Sequence, residues 1–247
     1  MSEAAITSLQ NPTVKLIRSL SEKKHRQETG LFVAEGDKVL DRARREGWEP
    51  DYVVSRQPQP AWGKARMLLA DDRVMAGLSG QANASPALAV FRQRWARSIT
   101  PSGLWLALEE LRDPGNLGTI IRTADAVAAS GIILAGQGCD PFGPDCVRAT
   151  MGSIFRMPLL RMTAAELVET CRSWPGETVG THLAGTLDYR RSYGRPTLLV
   201  MGSEGKGLSP DVAAACATLV RIPMVGGAES LNVAIATGLM LYEAIKP

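Results

Sequence analysis

The sequence has few of the residues that most metal sites and serine-nucleophile sites need. Of its 247 residues only two are histidines, His25 and His182, and four are cysteines. The cysteine spacing contains no C-x-x-C pair, so we predict neither a metal site nor a disulfide framework from Cys139, Cys146, Cys171 and Cys216. A Ser–His–Asp triad would have only the two histidines as possible centres.

The chain also lacks a run of about 18 apolar residues, so we predict no membrane-spanning helix. Its first residues contain no apolar core of signal-peptide length, so we expect a cytoplasmic protein without a membrane partner. Hydrophobic residues make up 45% and charged residues 21%, which is ordinary for a globular protein. This length suits one large domain or two modest ones.

Charge and glycine are distributed unevenly. Residues 1–99 contain 16 Lys and Arg against 11 Asp and Glu, whereas residues 100–247 contain 12 against 14. The basic excess favours contact with a polyanion, although an ordinary solvated surface explains it equally well. Eighteen of the 24 glycines lie in residues 100–247. Because glycine permits sharp turns and close approach, this second part is expected to hold a ligand.

Periodicity predicts two α/β domains, residues 1–97 and 98–247, with a break near Pro101 and Gly103. The first domain opens with Asn11 and Pro12, a typical helix start. The second alternates apolar strands with helices, which predicts a largely parallel sheet covered on both faces. Its predicted strands are residues 104–110, 131–136, 156–161, 178–183, 197–202 and 219–224. Ligands of such sheets bind at the carboxyl ends of strands.

Three polar segments follow predicted strands. In the first, LRDPGNLGTIIRTADA (111–126), Asn116 is expected to begin a helix, and Arg122 lies in an apolar stretch. Its guanidinium must reach water, a carboxylate or a phosphate, and alone a surface salt bridge is the better explanation. The second, TLLVMGSEGKGLSP (197–210), surrounds Glu204 with glycines, but its spacing fits neither a P-loop nor a dinucleotide fingerprint.

The third segment, LVRIPMVGGAESLNVAIATGLMLYEAI, covers residues 219–245. A Gly226–Gly227 turn follows the strand, and Ser230 is expected to cap the final helix. Asn232 would then lie in the first helical turn, where side chains and free N–H groups can meet a ligand. In isolation, a capped amphipathic helix explains this pattern better than a binding site does.

Together and in this order, the three segments resemble the SpoU (TrmH-like) RNA ribose 2′-O-methyltransferases of the SPOUT superfamily. The matching patterns are N-x-G-x-x-x-R, M-G-S-E-G-x-G-L and I-P-M-x-G…S-L-N-V-A-x-A…L-Y-E. Residues 11–43, NPTVKLIRSL…FVAEGDKVLDRA, also resemble the family's RNA-recognition module. The resemblance therefore covers nearly the whole chain.

The resemblance implies an α/β fold with a C-terminal trefoil-knotted SPOUT methyltransferase domain and a smaller, ribosomal-protein-like N-terminal RNA-binding domain. It implies a homodimer whose active site is completed across the interface, and no metal. The implied cofactor is S-adenosylmethionine, held mostly by backbone, with expected contacts at Gly202, Ile222, Met224 and Leu231. Periodicity could not have shown the knot, which breaks the usual rules of chain connection.

The implied reaction transfers a methyl group to a ribose 2′-hydroxyl of RNA. Arg122 matches the family's catalytic arginine, which is often assigned as the base. Because a guanidinium with a pKa above ~12 is hardly ever neutral, we expect Arg122 to stay cationic, bind phosphate and stabilise the developing alkoxide. Asn116 and Glu204 are expected to orient Arg122 and the ribose, and Ser230 and Asn232 to shape the pocket.

Two other functions stay open on the sequence alone. One is an RNA-binding protein without catalysis, and the other is a nucleotide-binding enzyme acting on small molecules. The two-domain layout favours rRNA as the substrate, with tRNA left open, and Arg148 and Arg156 are candidate phosphate contacts. Since the first domain has few aromatic residues, recognition by shape and phosphate is expected rather than base stacking.

Overall fold

The computed structural model describes residues 5–79 and 84–246, which divide between two compact units. The N-terminal unit consists of the chain up to Arg94 together with Asp140–Arg156. The C-terminal unit consists of Trp95–Cys139 and the chain from Met157 onward. The first exit from the N-terminal unit thus lies close to the predicted division at residue 97, and a later segment returns to it.

The N-terminal unit is a small α/β fold around a four-stranded sheet. Its helices are α1 (Pro12–Ser19), α2 (Lys23–Thr29), α3 (Asp37–Arg45), α4 (Asp72–Ser79) and α6 (Pro144–Ala149), with a 3₁₀ turn at Ser153–Phe155. Its strands, β1 (Leu31–Glu35), β2 (Tyr52–Ser55), β3 (Arg66–Leu69) and β4 (Ala87–Arg92), lie in the order β1-β4-β2-β3. β4 runs antiparallel to β1 and β2, and β3 is parallel to β2.

The predicted helix start at Asn11 is confirmed, because its side chain accepts a hydrogen bond from the Thr13 N–H at 2.9 Å. The helix that starts here ends at Ser19, and a second helix, α2, follows it. Arg26, on α2, donates to the carbonyl oxygens of Leu20 and Ser21, both at 2.8 Å. This buried guanidinium satisfies the carbonyl groups that the end of α1 leaves unpaired.

Residues 140–156 belong to the N-terminal unit through its core. The Arg26 guanidinium pairs with Asp140 at 2.8 Å, and both side chains are more than nine-tenths buried. The Trp48 indole N–H donates to the Phe155 carbonyl at 2.7 Å within an aromatic cluster. That cluster contains Phe32, Trp48, Trp62, Phe91, Phe142 and Phe155. Arg148, a candidate phosphate contact, instead pairs with Glu35 and Asp145.

The C-terminal unit is built on a seven-stranded sheet in which every pair of neighbours is parallel. The strands are β5 (Leu104–Glu109), β6 (Gly131–Ala135), β7 (Leu159–Met162), β8 (Glu177–Thr181), β9 (Leu187–Asp188), β10 (Thr197–Met201) and β11 (Thr218–Arg221). Their order is β7-β6-β5-β10-β8-β11-β9. The helices are α5 (Pro114–Ala126), α7 (Ala164–Ser173), α8 (Pro210–Ala215) and α9 (Val233–Ala244).

The predicted parallel sheet is confirmed, with small corrections. β7 begins at Leu159 rather than at 156, and the short edge strand β9 has no counterpart in the prediction. The central strands β5 and β10 are buried along their whole length and are apolar except at Glu109 and Thr197, as expected for strands covered on both faces. These strands are neighbours, with Met201 opposite Leu108, so the chain leaves both at the same edge.

Within the described residues, no helix is both long enough and apolar enough to cross a membrane.

Candidate active site

The first component of the site is the start of α5, just after β5. Asp113 is the N-cap, and its carboxylate accepts a hydrogen bond from the Asn116 N–H at 2.6 Å. Pro114 occupies the first helical position, where its missing N–H costs nothing. The helix therefore begins two residues before the predicted start. Asn116 lies in the first turn, and its side-chain amide takes no part in capping.

The second component is the loop after β10. Gly202 is buried so close to the backbone of Gly207 that any side chain would collide with it. Ser203 and Gly207 exchange two backbone hydrogen bonds, at 3.1 and 3.0 Å, which close the loop. At its far end the Ser209 N–H donates to the carboxylate of Glu109 at 2.8 Å, and Glu109 is only 5% exposed. The loop is thus fixed at its base, with Glu204 near its tip.

Glu204 connects this loop to the start of α5. Its carboxylate accepts from the Asn116 side-chain amide at 3.1 Å and from the N–H groups of Arg112 and Asp113 at 3.2 and 3.4 Å. Partial burial raises the pKa of Glu204, but hydrogen bonds from its own backbone, Asn116, Arg112 and Asp113 together lower the pKa below its ordinary value. Glu204 is therefore an anion at neutral pH and acts only as an acceptor.

The third component is Asn232 at the start of α9. Its side-chain oxygen accepts from the N–H groups of Ala234 and Ile235 at 2.9 and 3.3 Å, so Asn232 is the N-cap. The expectation that Ser230 caps this helix is wrong. Both residue types can cap a helix, but only Asn232 also has an amide N–H, and this group donates to the Asn116 side-chain oxygen at 2.9 Å.

Glu204, Asn116 and Asn232 thus form a continuous hydrogen-bonded chain, called here the amide–carboxylate triad. The central Asn116 donates through its nitrogen and accepts through its oxygen, which fixes the orientation of its amide. Each member comes from a different one of the three polar segments. The triad therefore brings together residues that are up to 116 positions apart in the sequence.

The other two residues predicted to be catalytic lie outside the triad. Arg122 is on α5, exposed, and has no hydrogen bond or ion pair with any residue that the structure describes. Ser230 is exposed in the segment before α9 and likewise makes no hydrogen bond within the described chain. Neither Asn116 nor Glu204 contacts the guanidinium of Arg122 through a hydrogen bond. The orienting role expected for them therefore has no direct counterpart within one subunit.

The residues expected to hold the cofactor divide between two environments. Gly202 is buried, and its lack of a side chain is explained by its packing against Gly207. Ile222 and Met224 are half-buried, and Leu231 is 36% exposed. All three lie in residues 222–231, where no backbone group is hydrogen-bonded to another described residue. These N–H and C=O groups are open to a ligand that is recognised through backbone.

Sequence reasoning missed two supports of the site. Asp113 could have been found, because Asp before Pro is the same helix-start signal as Asn11 before Pro12. Glu109 could not, because a glutamate at the end of an apolar strand has no local pattern that marks it as buried. Across residues 5–79 and 84–246, the structure contains no group of three or more His, Cys, Asp or Glu side chains arranged for a metal ion.

Comparison with known proteins gives two family matches along the chain. Residues 103–242 match the model of the SpoU rRNA Methylase family, and residues 11–89 match that of the MRM3-like substrate binding domain. An uncharacterized tRNA/rRNA methyltransferase of Synechocystis is 34% identical over 98% of this chain and 93% of its own length. The 23S rRNA (guanosine(2553)-2′-O)-methyltransferase RlmP of Bacillus subtilis is 27% identical over 96% of this chain and 97% of its own.

Solved structures agree with the family matches. The AdoMet-bound rRNA methyltransferase of Sinorhizobium meliloti superposes with a TM-score of 0.89 and 44% identity, covering 97% of this chain and 96% of that one. The expected α/β fold, a parallel-sheet SPOUT domain with a separate N-terminal substrate-binding domain, is thereby confirmed. The first family model alone matches more than half of the sequence. The chain belongs to the SpoU rRNA methylase family.

Proposed function

We propose that this protein methylates a ribose 2′-hydroxyl of ribosomal RNA, with Asn116, Arg122, Glu204, Ser230 and Asn232 as its catalytic residues. As a SpoU-family member it is an RNA 2′-O-methyltransferase that uses S-adenosylmethionine. The observation that carries the site assignment is the amide–carboxylate triad, which joins all three family motifs at one edge of the sheet. A binding protein without catalysis would have no need of this arrangement.

Ribosomal RNA is favoured over tRNA by the nature of the full-length relatives. The Bacillus subtilis enzyme, which aligns over both domains, is named for a 23S rRNA nucleotide, and the Sinorhizobium meliloti protein is named as an rRNA methyltransferase. The Synechocystis relative is named for tRNA and rRNA together, so tRNA is the second candidate.

The residues near the triad fit S-adenosylmethionine. Its adenine and amino-acid groups need hydrogen-bond donors and acceptors beside apolar surface, and residues 222–231 offer unpaired backbone groups next to Ile222, Met224 and Leu231. We propose that this segment and the loop at Gly202 hold the cofactor. When bound, S-adenosylmethionine supplies an electrophilic methyl group, so no metal is required to activate it.

The chain's own residues must then orient the ribose and manage the charge on its oxygen. Glu204 is a poor base at neutral pH because its pKa is lowered, so its role is to hold the Asn116 amide in one orientation. That fixed amide can in turn position the ribose. Arg122, always cationic, is proposed to bind the adjacent phosphate and stabilise the developing alkoxide. Ser230 would complete the pocket wall.

We further propose that the enzyme is a homodimer. The C-terminal helix α9 presents an apolar stripe to solvent, with Ile235 58%, Leu239 38% and Tyr242 54% exposed. Residues spaced by three or four positions form one helix face, and a patch of this kind on a soluble protein is typical of a protein interface. Arg122 lies on α5, which packs against α9. In a dimer this exposed arginine can serve the active site of the second subunit.

The test is methylation of purified RNA with labelled S-adenosylmethionine. Unmodified 23S rRNA, 16S rRNA and a tRNA pool are incubated separately, and 2′-O-methylnucleosides are quantified by mass spectrometry after digestion. Label in rRNA that is lost on Arg122→Ala is the expected result. Label found only in tRNA would contradict the assignment of rRNA and make tRNA the substrate. Tight cofactor binding without transfer to any of these RNAs would refute the proposed function.

A further inference from the structure

One edge of the N-terminal sheet gathers arginine side chains and aromatic rings. β1, β2 and β3 begin at this edge and the antiparallel β4 ends there, since Leu31 pairs with Arg92 and Tyr52 pairs with both Val90 and Arg66. The end of α3 and the residues just after β4 contribute Arg44 and Arg94. Part of the basic excess of residues 1–99 therefore lies at this edge of the sheet.

Arg44 and Arg94 are each stacked on an indole ring. The Arg44 guanidinium lies 4.5 Å from the ring centre of Trp62, and that of Arg94 lies 4.0 Å from Trp48. The rings themselves are fixed, because the Trp62 N–H donates to the Trp48 carbonyl at 2.9 Å and both rings pack against Phe91. Both guanidinium groups thus lie on indole rings that belong to the same buried aromatic cluster.

The outer sides of both groups are open. Arg44 and Arg94 are exposed, and neither forms an ion pair with a described residue. Of the neighbouring carboxylates, Glu46 pairs with Arg42 and Asp51 pairs with Arg92, each at 2.9 Å, whereas the Glu49 carboxylate lies against Gly63. A guanidinium stacked on one side keeps a free planar face and N–H groups at its rim. Such a face can stack on a nucleobase, and the N–H groups can bind phosphate.

We propose that Arg44 and Arg94 form an RNA-binding pair that stacks on an unpaired base of the substrate and binds the adjoining phosphates. This inference rests on the proposed function, because it assigns a contact surface for the same RNA. It also revises the expectation of recognition by shape and phosphate alone. Trp48 and Trp62 are each covered by an arginine, so the stacking surface there is the guanidinium rather than the ring.

The experiment compares three double variants of the full-length protein. Arg44→Ala with Arg94→Ala removes both guanidinium groups. Arg44→Lys with Arg94→Lys keeps the positive charges but removes the planar guanidinium groups. Lys15→Ala with Arg18→Ala is the matched control, because it removes two exposed charges of α1 from the same unit. Affinity for fluorescent fragments tiling 23S rRNA is measured by anisotropy at several salt concentrations without S-adenosylmethionine, and thermal unfolding is recorded by circular dichroism.

The alanine pair is expected to weaken RNA binding about 30-fold and the lysine pair about tenfold, whereas the control changes it by less than about threefold. The slope of log affinity against log salt should fall for the alanine pair and stay unchanged for the lysine pair. Equal losses in the alanine pair and the control would overturn the proposal. If the double alanine variant does not fold, the double lysine variant becomes the test. RNA affinity equal to that of wild type in the double lysine variant would also overturn the proposal.

Failure of this inference and failure of the proposed function give different results. Binding is measured without the methyl donor, so a wild-type protein that binds RNA but transfers no methyl group refutes only the function. A wild-type protein that methylates rRNA while all three variants bind RNA normally refutes only the arginine pair. An acidic protein as the true partner of this surface would produce that second result.

Discussion

The two units use polar side chains in opposite ways. In the N-terminal unit, a buried charge pair, Arg26 with Asp140, ties two distant parts of the chain into one core. In the C-terminal unit, the amide–carboxylate triad is at the surface, and its members connect loops rather than core elements. A buried pair constrains folding because an unpaired buried charge is costly, whereas surface hydrogen bonds cost little to lose. Substitutions of these polar residues should therefore lower the free energy of unfolding in the N-terminal unit and the rate of methyl transfer in the C-terminal unit.

The largest effect is expected from breaking the buried pair. Arg26→Ala leaves the Asp140 carboxylate buried without its partner and removes the two hydrogen bonds at the end of α1. The free energy of unfolding should fall by about 3–5 kcal/mol. Urea denaturation followed by tryptophan fluorescence measures it. Arg18→Ala, an exposed arginine of α1, is the control and should stay within about 0.5 kcal/mol of wild type. A loss below about 1 kcal/mol for Arg26→Ala would contradict the comparison.

The opposite behaviour is expected at the centre of the triad. Asn116→Ala removes the amide that joins Glu204 to Asn232, without opening a cavity in the core. We expect kcat for RNA methylation to fall about 100-fold, because the group proposed to position the ribose is lost, while the unfolding free energy changes by less than about 1 kcal/mol. Steady-state kinetics and urea denaturation measure the two quantities. A large stability loss with unchanged kcat would remove the contrast between the units.

The ease of prediction also differs between the two units. The parallel strands and the position of each polar segment after a strand follow from apolar runs and turn residues, which are local signals. The break between α1 and α2 depends on Arg26, which pairs with a residue 114 positions away. The choice of Asn232 over Ser230 as the α9 cap likewise depends on the distant Asn116. Tertiary contacts of this kind leave no periodicity in the sequence.

Arg122, the proposed catalytic arginine, shows the same limit of prediction from sequence. Its place on α5 is predictable from the helix pattern, but its partners are not, because no described residue of the same subunit binds it. A sequence does not record which groups of a second subunit meet an exposed side chain. The trefoil knot is implied by the resemblance alone for a similar reason, since the order in which chain segments thread has no local signature.

A smaller effect is expected at Glu109, which lies between core and loop. Its buried carboxylate holds the Ser209 N–H and so anchors the loop that contains Glu204. Glu109→Ala should raise KM for S-adenosylmethionine about tenfold and lower kcat less, because the loop loses its anchor while the catalytic groups stay present. Glu109→Gln keeps an acceptor oxygen and should recover most of the loss. If both variants lower kcat and leave KM unchanged, Glu109 does not act through the loop.

The smallest effect is expected from pH, because Glu204 of the triad should keep its charge throughout the neutral range. Folding lowers the pKa of Glu204. The stabilisation that its charged form provides is therefore complete above the pKa of the unfolded state, near 4.5, and is lost only as the pH falls through the lower pKa of the folded state. The ratio of kcat in wild type to that in Glu204→Gln should therefore be constant between about pH 5.5 and 8.5. Both pH–rate profiles are measured in one buffer series. An inflection of the ratio near neutral pH would mean that the carboxyl group gains a proton there, and Glu204 would then be a proton-transfer group rather than a fixed acceptor.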